Sequence, residues 1–574
     1  MLSQVLDTFK KIYSDKGDKI IIDNYTLDDG TYVIVKIDKN NCILEKEVLE
    51  IKDDDPLKSG SDYRKFLCYA DYYSKLISMN KAILSSSGKV IQGNNYLSFI
   101  IKKDSLGNGK LTYDIIDKFY DTLADPRNIK YKKNEELYNS VEKEIGEVDI
   151  EKLNSIREWI KNSIFNLIET KSGKDFLKIF FYDSECYEKQ YKNEGLRYFI
   201  PNIYNNNDYN KKVFDEIYGL PSNNMGLNSK KPYLENKTRK TRVPYLLNLE
   251  DVMLQKKFFD YCSNQVASGK LNLYIDEDGL YEKPKDNFTG VFLRLKKGME
   301  VEIHDYDVIT NYRSELSKPF HCKNVLNGNY EKLKIDYNVS YKTRDKLEDL
   351  LNEVLFMKFL KGNYFSEPKD IRLKDNVIKS NLLISRKAIF DWLYKNKENN
   401  ISSVLDKITL SIVKNSIVNG NLNKAMDQYN MRISFIEYFY MKEGDNVADI
   451  IMGVKNNLRE KISEKTTSSI ENDKEYFFAV GQIVGYFISK SKGKKKPLSL
   501  ANPFINAKND KFIKEKIKAL YKKYNYDIQD YDYRFKNLYS MITGYSVEDK
   551  IDEDMILAGF LNSNLLYEKI KEDK

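Results

Sequence analysis

Residues 472–509 read NDKEYFFAVGQIVGYFISKSKGKKKPLSLANPFINAKN. Asn472 followed three residues later by Glu475 is a capping-box start for a helix. Behind it Phe477, Val480, Val484 and Phe487 fall at helical spacing and predict one apolar stripe. Gly481 and Gly485 stand four apart beside that stripe, and a neighbouring helix could approach closely there. The chain then turns basic, with Lys490, Lys492, Lys494, Lys495 and Lys496 around Gly493 and with Pro497 as a stop. A second amphipathic helix is expected beyond it. Ile513, Ile517, Leu520, Tyr521 and Tyr524 face inward, and Lys508, Lys511, Lys514, Lys518 and Lys522 lie on the other face. A packed helix pair presenting a lysine loop suits a polyanion, and the same run also reads as a solvated loop.

Working outward, the last third of the chain continues in this helical pattern. From about residue 342 the apolar periodicity is helical to the end. Before it, alternating stretches at 31–37, 42–49, 176–182, 291–296 and 300–304 read as strands, with helices at 2–13, 62–84, 113–123 and, in two pieces, 134–170. Residues 89–103 read as two short strands around Gly93-Asn94-Asn95. In 31–37, Val33, Val35 and Ile37 share one face. Gly107-Asn108-Gly109-Lys110 lacks the Walker spacing and reads as a hairpin turn. The fold class is therefore α+β: a mixed α/β N-terminal part over 1–340, a helical connector over 341–400, and an all-α helical-bundle C-terminal domain over 401–574.

Bulk properties bound the rest. A chain of 574 residues exceeds one core, and about two to four domains are expected. Its 94 basic and 86 acidic side chains leave a net charge of only +8, so any polyanion must be held by local patches. One such patch is residues 226–242. Lys230, Lys231, Lys237, Arg239, Lys240 and Arg242 stand there against Glu235 alone, with Tyr233 and Tyr245 interleaved. Cations with aromatics suit a groove that tracks a nucleic-acid backbone, and a solvated basic loop is the plainer reading. Five cysteines with no C-x-x-C pair argue against a disulfide framework or zinc ribbon and fit reduced thiols in a cytosol. No run of 18 apolar residues exists to span a membrane, and the first 18 residues have no apolar core of a secretory signal.

Catalytic patterns are missing. The only histidines are His304 and His321, too few for a histidine-based metal cluster. His321 and Cys322 are adjacent, so their side chains diverge and cannot act as base and nucleophile for each other. Asp53-Asp54-Asp55 and Asp276-Glu277-Asp278-Gly279 read as turns. No nucleophile elbow, kinase set or dinucleotide fingerprint occurs. A binding or scaffolding role is expected, with no catalytic residue, no metal and no cofactor.

Three groups of segments now stand together. They are Asn94-Asn95-Tyr96-Leu97-Ser98-Phe99 with Lys102-Lys103; Gly226-Leu227-Asn228 through Lys230-Lys231-Pro232-Tyr233-Leu234 to Thr238-Arg239-Lys240; and Phe478-Ala479-Val480-Gly481-Gln482 with the lysine loop, Asn502-Pro503-Phe504 and Ala558-Gly559-Phe560-Leu561. In order and spacing they resemble the large subunit of the type I-B CRISPR interference complex, the Csh family within Cascade. That resemblance spans nearly the whole chain. It implies a non-catalytic cytoplasmic subunit that contacts the 5′ end of CRISPR RNA and reads the protospacer-adjacent motif on target double-stranded DNA. Such a subunit helps open the duplex into an R-loop and helps recruit a helicase–nuclease. Its other partners are the backbone, guide-end and small subunits, and none is a membrane. The helical C-terminal domain resembles the small subunit, which lines the path of the displaced single strand. Met426, Met431, Met441 and Met452 are candidate internal starts for a separate copy of it. Some relatives carry a cysteine-rich zinc site, which the cysteine spacing here does not support.

Within that resemblance, site roles are assigned from residue chemistry, since Asn can read base edges and a turn at Gly93-Asn94 can enter a groove. Asn94 and Asn95 would read base edges, with a plain hairpin turn as the alternative. Lys102 and Lys103 would hold phosphate nearby. Lys230, Lys231, Lys237, Arg239, Lys240 and Arg242 would hold guide RNA or duplex backbone. Lys492, Lys494, Lys495 and Lys496 would hold the displaced strand. Two other classes fit the composition: a metal-dependent nuclease of another defence system, and a structural interaction protein that touches no nucleic acid.

Overall fold

Gly30–Ile37 (β1) is a run of β-branched and aromatic residues, and it becomes one of the two inner strands of the first sheet. The alternation of Val33, Val35 and Ile37 suggested one buried face. Both faces are covered, because Tyr32 and Ile34 are as buried as Val33 and Val35. This is the signature of a strand flanked on both sides and packed on both faces. Its neighbours are Ile43–Ile51 (β2) and Phe176–Tyr182 (β4), with Ser98–Lys102 (β3) beyond, in the order β2-β1-β4-β3. β1 is antiparallel to β2 and parallel to β4, with Val33 opposite Ile179, and β3 is antiparallel to β4.

The computed structural model describes residues 2–38, 43–52, 63–85, 89–168, 173–204, 210–222, 246–298, 301–327, 334–441, 447–464, 468–493, 497–529 and 531–568. The chain divides into two compact units. One comprises Met1–Pro284 with Thr289–Val308, the other Lys285–Phe288 with Ile309–Lys574. The unit boundary near Val308 precedes the change of pattern, because the strands Glu315–His321 and Ser340–Thr343 belong to the second unit and the elements after Thr343 are helical. The expected connector, 341–400, supplies the helices Arg344–Val354 and Asn376–Lys395 to the second unit. The first unit is mixed α/β, and from 376 to 567 the described elements are all helical.

Local punctuation explains several boundaries. The helix expected over 62–84 is Arg64–Ser74. It stops where Lys75 leaves for extended backbone and bridges Gly93. Residues 107–110 form no hairpin: the helix Lys103–Gly107 ends there, Gly109 takes a left-handed φ of 70°, and Thr112 caps Tyr113–Ala124 through the N–H of Ile115. The two helical pieces expected over 134–170 are Glu135–Ile145 and Ile150–Ser163, divided at Gly146, whose φ is 89°.

A charged cluster lies inside the first unit. Lys178 on β4 donates to Asp71 at 2.8 Å and Asp28 at 3.0 Å, and the Tyr25 hydroxyl donates to Asp71 at 2.8 Å. Lys75 adds contacts to Asp71 at 3.4 Å and Asp28 at 3.2 Å. Asp71 has no solvent exposure. Burial alone would raise its carboxyl pKa, yet the charges of Lys178 and Lys75 outweigh it and hold the pKa below the usual value. The sign follows. This contribution to stability is complete above the unfolded carboxylate range, near pH 4, and is lost as pH falls below it. Asp71→Asn is therefore expected to be destabilised at pH 7, with the gap to wild type closing on acidification from pH 5 to pH 2. Urea titrations at fixed pH check this, and a gap that widens toward pH 2 contradicts it.

In the second unit the helix Asp473–Ser489 is buried on nearly every side. Tyr476, Phe478, Ile483 and Ile488 are as enclosed as the expected stripe of Phe477, Val480, Val484 and Phe487. A helix apolar all round is a core helix. Its cap is half as expected: Asn472 Oδ1 accepts from the N–H of Glu475 at 3.0 Å, but Glu475 Oε2 accepts from the N–H of Glu471 at 2.8 Å rather than that of Asn472. Gly481 meets the helix Glu553–Leu561 at Ile556 and Gly559, and Gly559 meets Phe478. Gly485 takes no part in that close crossing. Gln482 bridges the pair. Its Nε2 donates to the Gly559 carbonyl at 2.5 Å, and its Oε1 accepts from the N–H of Leu565 at 2.7 Å.

Candidate nucleic-acid interface

The second unit's core helix ends at Ser489, and the basic run begins on its last turn. Lys490 is half-buried, its ammonium 4.6 Å from the ring centre of Tyr486 and 5.6 Å from that of Tyr567. Lys492 is exposed and stands 4.8 Å from the Tyr526 ring centre. Cations over aromatic faces place charge and ring side by side. Tyr526 is 58% exposed and Tyr567 54%, whereas Tyr486 is buried. Tyr567 lies 5.4 Å from Tyr486, which in turn stacks on Phe535 at 5.4 Å, as Tyr521 does at 6.0 Å. Tyr486 also donates to Asp532 at 2.9 Å.

Next to the basic run is a groove of ≈ 820 Å³. Gly485 and Ser489 of the core helix, Phe560, Asn564 and Tyr567 of the closing segment, and Pro497–Ser499 after the lysines line it. Gly485, with no side chain, helps leave this space open. The helix Asp510–Tyr524 follows with Ile513, Ile517, Leu520 and Tyr524 buried, as its periodicity predicts. Tyr521, expected inward, lies at the margin and is partly exposed. Lys508, Lys511, Lys518 and Lys522 are exposed on the outer face. Lys514 is not on offer in the same way: it pairs with Asp510 at 2.9 Å and donates to the Tyr545 carbonyl.

The sequence-derived residues of the first unit are placed differently. Asn94 and Asn95 are each 1% exposed. Asn94 Nδ2 donates to the carbonyls of Tyr73 and Lys75, both at 2.8 Å. Asn95 Nδ2 donates to Ser74 Oγ at 3.2 Å and Asn94 Oδ1 at 2.7 Å, and its Oδ1 accepts from the N–H of Leu97 at 3.0 Å. These amides tie the end of Arg64–Ser74 to the start of β3. In this arrangement neither can present its edge to a base, and a structural role accounts for both. Lys102 is exposed, 5.8 Å from the Phe176 ring centre. Lys103 is buried and paired with Asp175 at 2.5 Å, with Glu50 at 3.9 Å. Of the two, Lys102 alone keeps a free charge in water. Lys230, Lys231, Lys237, Arg239, Lys240, Arg242, Lys494, Lys495 and Lys496 lie outside the described residues.

Sequence reasoning missed the tyrosines of this surface. The signal was present: residues 521–533 read YKKYNYDIQDYDY, five tyrosines in thirteen positions. The chemistry-bearing residues singled out elsewhere form no catalytic arrangement. His321 is exposed, its Nε2 3.5 Å from Ser340 Oγ, while Cys322 is buried with its thiol pushed up to about 12 by burial. Asp276 Oδ1 accepts from the N–H of Asp278 and of Gly279, closing a turn. Asp53-Asp54-Asp55 lie outside the described residues. No helix among the described residues is long and apolar enough to cross a membrane.

No family model matches the chain, and no curated protein or solved structure does either. The two segments Phe478–Gln482 and Ala558–Leu561, which carry part of the family resemblance, pack on each other at the Gly481–Gly559 crossing.

Proposed function

We propose that this chain is the non-catalytic large subunit of a type I-B CRISPR RNA-guided complex, and that its second unit holds single-stranded nucleic acid on the lysine–tyrosine surface. The observation that carries the reading is Lys490 beside exposed Tyr567 and Lys492 beside exposed Tyr526, with buried Tyr486 supporting Lys490 from below. Lysines track phosphates without regard to sequence, while tyrosine faces accept any base. A displaced strand of arbitrary sequence needs this combination. Motif reading, duplex opening and helicase–nuclease recruitment rest on the resemblance, and Asn94 and Asn95 are not assigned to motif reading because their amides hold the backbone.

The test is fluorescence anisotropy with the full chain and a labelled single-stranded oligonucleotide. Tyr526→Ala is expected to weaken binding by about 1–3 kcal/mol at every salt concentration. Lys492→Ala is expected to lower the slope of log K against log salt by roughly one. Wild-type affinity for both variants, with an unchanged slope, overturns the surface as proposed.

A further inference from the structure

We propose that a second cavity of this unit, lined by Lys334, Lys358 and Lys424, binds a free nucleoside phosphate. The cavity measures ≈ 690 Å³, within the range of small-molecule sites. It is separate in chemistry from the tyrosine surface, since among the described residues no aromatic side chain lines it. Its walls divide in two. Val354, Met357 and Leu422 are apolar and suit the flat face of a base. The three lysines, with Asn421 and Asn423, form the polar side.

The charges are not balanced within the site. Glu353 pairs with Lys334 at 2.9 Å and Lys358 at 3.4 Å. The carboxylate of Asp427 is turned inward, accepting from the N–H of Lys334 at 2.9 Å and the Tyr337 hydroxyl at 3.1 Å. Lys424 has no ion-pair partner within 4.0 Å among the described residues. Burial lowers its pKa, the charge of Asp375 offsets this in part, and Lys334 adds to it. An incoming phosphate would relieve that cost and complete the pair that Lys424 lacks. Met357 and Lys358 both hold left-handed backbone, at φ of 52° and 68°, which side-chain-bearing residues rarely adopt. Asn352 keeps them there: its carbonyl accepts from the N–H of Lys358 at 2.8 Å, and its Oδ1 accepts from the N–H of Leu360 at 2.8 Å. Such enforced strain is typical of a ligand clamp, and here it sets Lys358 on the cavity's rim. The start of the long helix Leu422–Tyr440, whose Asn421 makes no side-chain cap, adds partial positive charge to the same side.

Isothermal titration of the full chain with ATP, AMP and pyrophosphate tests this. ATP is expected to bind, and pyrophosphate to bind more weakly because the apolar wall is left unused. Lys424→Met and Lys358→Met are each expected to weaken ATP by about tenfold, the loss of one charge-assisted hydrogen bond, with unchanged thermal midpoints. Lys550→Met, which removes the same charge from an exposed segment, serves as the control for net charge. The proposal is overturned if the wild-type chain binds none of the three at millimolar concentration, if both cavity variants bind ATP as wild type does, or if pyrophosphate binds as tightly as ATP. Oligonucleotide binding by the same variants is read separately, so a failure here leaves the strand-holding surface standing.

Discussion

Gly481→Val is expected to destabilise the second unit by about 4 kcal/mol, in the range that marks a broken core rather than an adjusted one. A Cβ at Gly481 would sit closer than 3.0 Å to the Ile556 carbonyl oxygen and to the N–H nitrogen of Phe560. Both obstacles are backbone, so no rotamer change removes the clash. The helices Asp473–Ser489 and Glu553–Leu561 would have to part. Overpacking a core ordinarily costs about 1–3 kcal/mol. Parting this pair also strains the hydrogen bonds of Gln482 to Gly559 and Leu565, whose buried groups cost about 1–3 kcal/mol each when unmet. Gly485→Ala is the internal comparison. Its Cβ would find Asn564 at 3.5 Å, an ordinary contact, and better helix propensity makes it neutral or slightly stabilising. Chemical denaturation followed by circular dichroism separates the two. A Gly481→Val variant within 1 kcal/mol of wild type contradicts the crossing.

The second large effect is expected at Lys178→Met, at about 3–5 kcal/mol. Methionine keeps most of the volume but leaves the Asp71 carboxylate facing Tyr25 and the more distant Lys75. Removing one partner of a buried pair strands the other charge, which costs more than the pair itself is worth. Asp28 and Lys75 reach water and adapt, whereas Asp71 has no exposure. The double variant Asp71→Leu with Lys178→Met is therefore expected to recover much of the loss, so the two changes are strongly non-additive. Equal and additive losses in the cycle contradict this account.

These effects also mark what the amino-acid pattern could and could not reveal. The division into α/β and helical parts was legible, because strand alternation and helical periodicity are local signals. The glycine crossing was half legible: Gly481 stood out, but its partner Gly559 is distant in sequence, and Gly485 looked equivalent until the second helix was in place. Periodicity understated burial in β1 and in Asp473–Ser489, since the polar-free sides of a central element look like spacers. Asn94 and Asn95 read as an exposed turn because their partners, Tyr73, Ser74 and Lys75, belong to another element. Lys102 and Lys103 read as a pair, yet Asp175 on the neighbouring strand's approach takes one and leaves the other in water. The lysines of the interface were visible as charge, whereas Tyr526 and Tyr567 fall outside the helical periodicity that drew Tyr521 and Tyr524 inward and so carried no periodic signal of their own.

The most direct test of the central claim is target-duplex binding by the reconstituted RNA-guided complex, with and without this chain, across a salt series. It is repeated with Lys490, Lys492, Lys494, Lys495 and Lys496 changed to Ala. The account predicts that duplex binding requires the chain and that the lysine variant binds with a shallower salt slope, by roughly one for each contacting lysine removed. Equal duplex binding by the complex lacking the chain would contradict it.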